Sequence, residues 1–124
     1  MAYAYSYKDQ IDFMDLNGKV IHVVKKDNRK PSITIDPNAD NKYYYANIFA
    51  TKNFYYALYR NKTTNEFIKG QYKGDVIEVY NNEGTLVRTY SFDISPIIYA
   101  VDQNDKRMVG FNAQKEALLI YDLP

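Results

Sequence analysis

Hydrophobic and polar positions alternate with a period of two along most of this chain. No window of eleven residues places apolar positions at i, i+3, i+4 and i+7 between recognisable helix caps. A period of two belongs to a strand, whose side chains point alternately to opposite faces. The pattern predicts an all-β protein of about ten short strands joined mostly by short turns. Ala2 to Lys8 alternates Tyr3, Tyr5 and Tyr7 with small residues, and Ile11 to Met14 follows. Asp15-Leu16-Asn17-Gly18 reads as a hairpin turn, with Asn-Gly supplying positive φ, and Lys19 to Lys25 is its partner strand. Tyr43 to Thr51 and Phe54 to Arg60 flank a turn at Lys52-Asn53. Val76 to Tyr80 and Thr85 to Phe92 flank Asn81-Asn82-Glu83-Gly84. Ile97 to Val101, Arg107 to Phe111 and Ala117 to Tyr121 complete the set. Two long polar connections interrupt the series, Lys26 to Lys42 and Asn61 to Gly74. Only Ser32 to Ile35 is able to pair inside the first.

The pattern repeats. With Gly18 placed over Gly84, an offset of 84 − 18 = 66, Ile11 falls on Ile77, Phe13 on Val79 and Ile21 on Val87. A third, shorter copy aligns Leu118 to Asp122 with Ile77 to Asn81, an offset of 118 − 77 = 41. About 40–45 residues is the length of a four-stranded propeller blade, and the long connections absorb the larger first offset. The expected fold is a partial β-propeller of about three blades built from four-stranded antiparallel meanders in a single domain, 1–124. About 1–25 forms a partial first blade, 26–92 a full blade with both long loops, and 93–124 a partial last blade.

The stretches FYYALYRN, GDVIEVYNNEGTLVRTYSFD, IIYAVDQNDKRMVGF and LLIYDLP carry a likeness. Over residues 43–124 the chain resembles the last part of the TolB-like six-bladed β-propellers of Bacteroidetes. In that family an aromatic strand, a polar loop, an I-x-V-[FY]-[DN]-x-x-G hairpin and an I-x-A-V-D strand follow in this order. The resemblance implies C-terminal blades or a short relative, a cell-envelope setting, and no catalytic residue set.

Composition narrows the chemistry. Sixteen basic against fifteen acidic residues give a net charge of +1, which does not fit a general nucleic-acid binder. No run of eighteen apolar residues offers a membrane span, and the N-terminal MAYAYSYKDQIDF has neither the basic nor the apolar region of a signal peptide. With no cysteine, disulfides and thiolate chemistry are excluded. Fourteen tyrosines and six phenylalanines are the unusual feature. The ring of a tyrosine packs on a pleated surface while its hydroxyl reaches a polar partner. Runs such as Tyr43–Tyr45 alternate faces, so they read as packing between blades rather than as one stacking platform.

Candidate chemistry is sparse. His22, the single histidine, sits in KVIHVV on the face opposite Ile21 and Val23 and reads as an exposed or hydrogen-bonded strand residue. One His without Cys does not suggest a zinc site. The Asp and Asn residues read as turn formers, since IDPNADN lacks the spacing of a calcium loop. None of the five glycines forms a phosphate-binding motif. No catalytic residue, metal site or cofactor is expected. In an up-and-down blade the two long connections leave from the same rim and meet on one face, where binding usually lives. They carry seven basic and four acidic residues. The candidate ligand-binding rim is Arg29, Lys30, Lys62, Phe67, Lys69, Tyr72 and Lys73, facing an anionic or polyhydroxylated ligand. The expected function is a non-enzymatic binding or interaction module, with a protein or glycan as partner. One alternative is a propeller-fold hydrolase or lyase with a central-channel site; another is a structural fragment of a larger propeller. An open arc of blades exposes two apolar faces, so the chain is expected to form a homodimer or to meet the remaining blades of a longer polypeptide.

Overall fold

The computed structural model describes residues 1–26, 38–69, 75–93, 95–112 and 115–124. Among them are ten strands and one short helix: β1 (Ala2–Ala4), β2 (Gln10–Met14), β3 (Val20–Lys25), β4 (Lys42–Ala50), β5 (Tyr55–Thr63), α1 (Thr64–Ile68), β6 (Val76–Tyr80), β7 (Leu86–Ser91), β8 (Ile98–Val101), β9 (Arg107–Asn112) and β10 (Ala117–Asp122). The chain is all-β. Its strands form three antiparallel sheets in which each strand pairs with its sequence neighbour: β1-β2-β3, β4-β5-β6-β7 and β8-β9-β10.

Two boundaries differ from expectation. The first strand stops at Ala4 rather than Lys8, because the chain turns back there and the Tyr5 amide donates to the Gln10 carbonyl at 3.1 Å. The second connection is not a polar loop from Asn61. Strand β5 continues through Thr63, and α1 begins at once. Thr63 caps that helix in a reciprocal box: its hydroxyl accepts from the Glu66 amide, and the Glu66 carboxylate accepts from the Thr63 amide at 2.8 Å. The segment Ser32 to Ile35 lies outside the described residues.

Two hydrophobic cores join the three sheets. Ile11 and Phe13 of the first sheet pack against Tyr45, Ala57 and Tyr80 of the middle one. Tyr56, Leu58, Ile77 and Val79 on the opposite face of the middle sheet pack against Tyr99, Val101 and Met108 of the third. The middle sheet is covered on both faces, so β6 reads as a nearly continuous buried strand. The buried tyrosines keep hydrogen bonds: the Tyr99 hydroxyl donates to the Tyr56 carbonyl at 2.7 Å.

The repeat is a repeat of turns. In the first hairpin the Asp15 carboxylate accepts from the amides of Asn17 and Lys19, and in the middle sheet the Asn81 side chain accepts from Glu83 and Thr85. Gly18 and Gly84 follow at φ 80° and 85°. The turn 102–106 has the same form, with the Asp102 carboxylate accepting from the Lys106 amide, but its left-handed position is held by Asp105 at φ 59°.

Candidate functional site

The ends of the two long connections meet. The Thr64 amide donates to the Asn41 carbonyl at 2.9 Å, and the Asn65 amide to the Asp40 carboxylate at 2.8 Å. Beside this junction, β4, β5 and α1 enclose a cleft of about 360 Å³ lined by Ser6, Tyr43, Tyr45, Ala46, Arg60, Lys62, Thr64 and Phe67. Local irregularity shapes it. The β4–β5 register shifts between Tyr43 and Tyr45 and again between Tyr45 and Asn47, and Asn61 adopts a positive φ of 50°. Such bulges bend a strand and re-aim its side chains.

The basic wall of the cleft is organised by a carboxylate behind it. Asp75, just before β6, is fully buried. It accepts from the Lys62 ammonium, lies 3.6 Å from the Arg60 Nε, and accepts from the Ser95 hydroxyl at 2.6 Å. Asn112 donates in turn to the Ser95 carbonyl at 2.8 Å. The Arg60 guanidinium also lies 4.9 Å from the ring centre of Phe67 and donates to the Pro96 carbonyl. Two cations therefore share one carboxylate, and both cations line the cleft while the carboxylate does not.

Tyr45 forms the aromatic wall and is fixed from the far side. Its hydroxyl donates to Glu78 at 2.9 Å, and that carboxylate also holds Lys26 at 2.5 Å and the Tyr80 hydroxyl at 3.2 Å. Lys26 lies 3.6 Å over the ring of Tyr59, whose hydroxyl donates to Asp9 at 3.0 Å. Burial first, then Glu78, pushes Tyr45 and Tyr80 well above the ordinary phenol range; burial and Asp9 do the same for Tyr59. These hydroxyls stay protonated donors.

Of the expected rim, Lys62 and Phe67 line the cleft. Lys62 is not a solvated loop residue but a buried strand residue in an ion pair. Lys69 is exposed beyond α1 and is not among the cleft's lining residues. Arg29, Lys30, Tyr72 and Lys73 lie outside the described residues. Tyr43 and Tyr45 were read as packing residues and Arg60 and Asp75 were not singled out by sequence; the spacing of Arg60 and Lys62, two apart as on one strand face, is the signal that points to Arg60. His22 packs 6.0 Å from Phe13, across β3 from Ile21 and Val23 as expected. Among the described residues no group of three or more His, Cys, Asp or Glu side chains is placed to hold a metal, and no helix is long and apolar enough to cross a membrane. Comparison with protein families, curated proteins and solved structures found no match to this chain.

Proposed function

We propose that the chain is a non-catalytic β-propeller segment of TolB-like type whose cleft binds an anionic, polyhydroxylated ligand, with an acidic sugar as the fitting chemistry. The observation that carries the ligand class is the wall of Arg60 and Lys62, two cationic side chains that line the cleft while Asp75, which holds both, does not. A guanidinium is suited to a planar carboxylate. The rings of Tyr43 and Phe67 offer apolar faces to a sugar ring, with the buried Tyr45 behind them, and Ser6 and Thr64 offer hydroxyl groups. The propeller reading is supported by the order of strands. The inner strands of the middle and third sheets, equivalent by the repeat, lie side by side: the Tyr99 hydroxyl on β8 donates to the Asn47 carbonyl on β4, and the Tyr44 amide on β4 donates to the Ser6 carbonyl between β1 and β2. Meanders stacked around such inner strands are the building plan of a propeller.

Titration with glucuronate, followed by amide resonances, tests the ligand class. The expected result is shifts confined to β4, β5 and α1, an affinity that falls as salt rises, and weaker binding of glucose. Arg60→Met and Tyr43→Ala should each weaken binding at least tenfold. Shifts scattered over the surface, or none with either sugar, overturn the reading.

A further inference from the structure

The third sheet turns an apolar face away from the rest of the molecule. Phe111 pairs with both Ile98 and Leu118, and Val109 with both Ala100 and Ile120, so these residues form two adjacent rows across β8, β9 and β10. Leu118 and Ile120 are 71% and 70% exposed. Beyond the rows, Arg107 and Asp122 make an exposed ion pair at 3.7 Å. Scattered apolar residues on a surface need no explanation, but a continuous apolar sheet face does.

The internal repeat says what such a face is for. The alignment of Leu118 with Ile77 and Ile120 with Val79 extends through strand pairing. Phe111 opposite Leu118 stands where Leu58 opposite Ile77 stands, and Val109 opposite Ile120 where Tyr56 opposite Val79 stands. Those four middle-sheet residues are at most 2% exposed, because the next sheet covers them. The third sheet thus presents the face that, one repeat earlier, receives a following sheet. The first sheet presents the opposite kind of face. Tyr3, Asp12 and Val23 lie in one row on its outer side. Asp12, buried beneath Tyr5 and Gln10, which donate to it at 2.7 and 2.6 Å, corresponds in position to Glu78, which in the middle sheet faces the preceding sheet and takes Lys26 from it.

We propose that the bare face of the third sheet docks on the outer face of the first sheet of a second copy of this chain, and that two copies join head to tail at both ends as a closed two-fold pair. Area selects this arrangement. With strands about 4.8 Å apart and about 3.3 Å per residue, the strands of the third sheet cover about 250 Å² and those of the first about 220 Å². A pair joined at both ends buries two of each, on the order of 950 Å², close to the roughly 1,000 Å² expected of a specific interface. Third sheets meeting each other would bury half as much and leave both first sheets bare. The inference rests on sheet stacking and not on the cleft.

The absence of cysteine allows a clean test. Leu118→Cys and Val23→Cys each place one thiol on an exposed strand position. Light scattering behind size exclusion should give the native chain the mass of two copies at tens of micromolar. The two variants, refolded together with a short bis-maleimide, should yield a covalent pair, and neither should do so alone. The variant Leu118→Lys/Ile120→Lys should run as a monomer with unchanged strand signal in circular dichroism and unchanged glucuronate binding. A native monomer, an open-ended polymer, cross-linking within one variant, or a Lys variant that remains paired would overturn the proposal. Loss of glucuronate binding in a correctly paired protein would count against the cleft alone.

Discussion

The Asp105 carboxylate accepts the Tyr56 hydroxyl at 2.9 Å from a backbone position that Gly84 fills in the equivalent turn of the middle sheet. It also accepts from Thr51 at 2.6 Å and Asn53 at 2.9 Å, so it ties the β4–β5 turn to the β8–β9 turn. An aspartate tolerates a left-handed φ at modest strain. Asp105→Gly would relieve that strain, about 1 kcal/mol, and would lose three hydrogen bonds to a charged group worth about 1.5 kcal/mol or more each. The expected outcome is net destabilisation of about 3–4 kcal/mol in urea unfolding. A stabilised Asp105→Gly would show that the latch contributes little.

Gly18 and Gly84 have nearly the same φ, but only Gly84 is enclosed. A Cβ at Gly84 would meet the Phe13 ring at 2.9 Å and also the His22 ring, whereas at Gly18 it would meet nothing within 4 Å. Gly18→Ala should cost about 1 kcal/mol from backbone strain. Gly84→Ala should cost at least twice that. The gap between the two melting temperatures should narrow when His22→Ala is added, since one of the two obstructions is then removed.

The buried Asp75 holds Arg60 and Lys62. Asp75→Asn would leave two largely buried cations without their carboxylate and should destabilise the fold by about 3–5 kcal/mol. Lys62→Met leaves Asp75 with Arg60 and Ser95 and should cost clearly less. Equal losses for the two variants, measured by urea unfolding at pH 7, would mean the carboxylate is not the centre of the group.

Burial raises the pKa of Tyr45, Tyr56, Tyr59, Tyr80 and Tyr99 above the ordinary phenol value, with carboxylate neighbours adding to it in the first four. The unfolded chain therefore releases these protons near pH 10 while the folded chain keeps them. Stability from this source is complete below about pH 9.5 and falls as pH rises past 10. Tyr99 and Tyr45 each add up to about 1.4 kcal/mol per pH unit to the slope. Urea midpoints from pH 8 to 11 should show this fall together with phenolate absorbance. Tyr99→Phe should make the slope shallower even though it lowers stability at pH 8.

Most of the strand plan was legible from alternation. Val76 to Tyr80 is bounded as expected, because Asp75 and Asn81 close it with polar residues and four strand formers, two on each side of Glu78, lie between. The cleft was half legible. Lys62 and Phe67 were named, but as loop residues, because Arg60-Asn61-Lys62 reads as the polar end of a strand. The left-handed Asn61 lets β5 bend and continue, and local pattern does not reveal a bulge. Asp75 stayed hidden for a different reason. Its partners Arg60 and Ser95 lie 15 and 20 residues away, and only tertiary packing brings them together.

In this chain, among the described residues, every strand pairs only with a sequence neighbour, and no strand pairing joins the first sheet to the third. The chain's cooperativity passes through two packed seams, from the first sheet to the middle one and from the middle one to the third. Such a molecule behaves as a short one-dimensional array, in which stability is a sum of unit and neighbour terms. Its outer sheets open first and separately, and the amides of β5 and β6, covered on both sides, exchange with solvent last. Any contact that covers the outward face of the third sheet would therefore slow exchange in β8 to β10 long before it altered the centre.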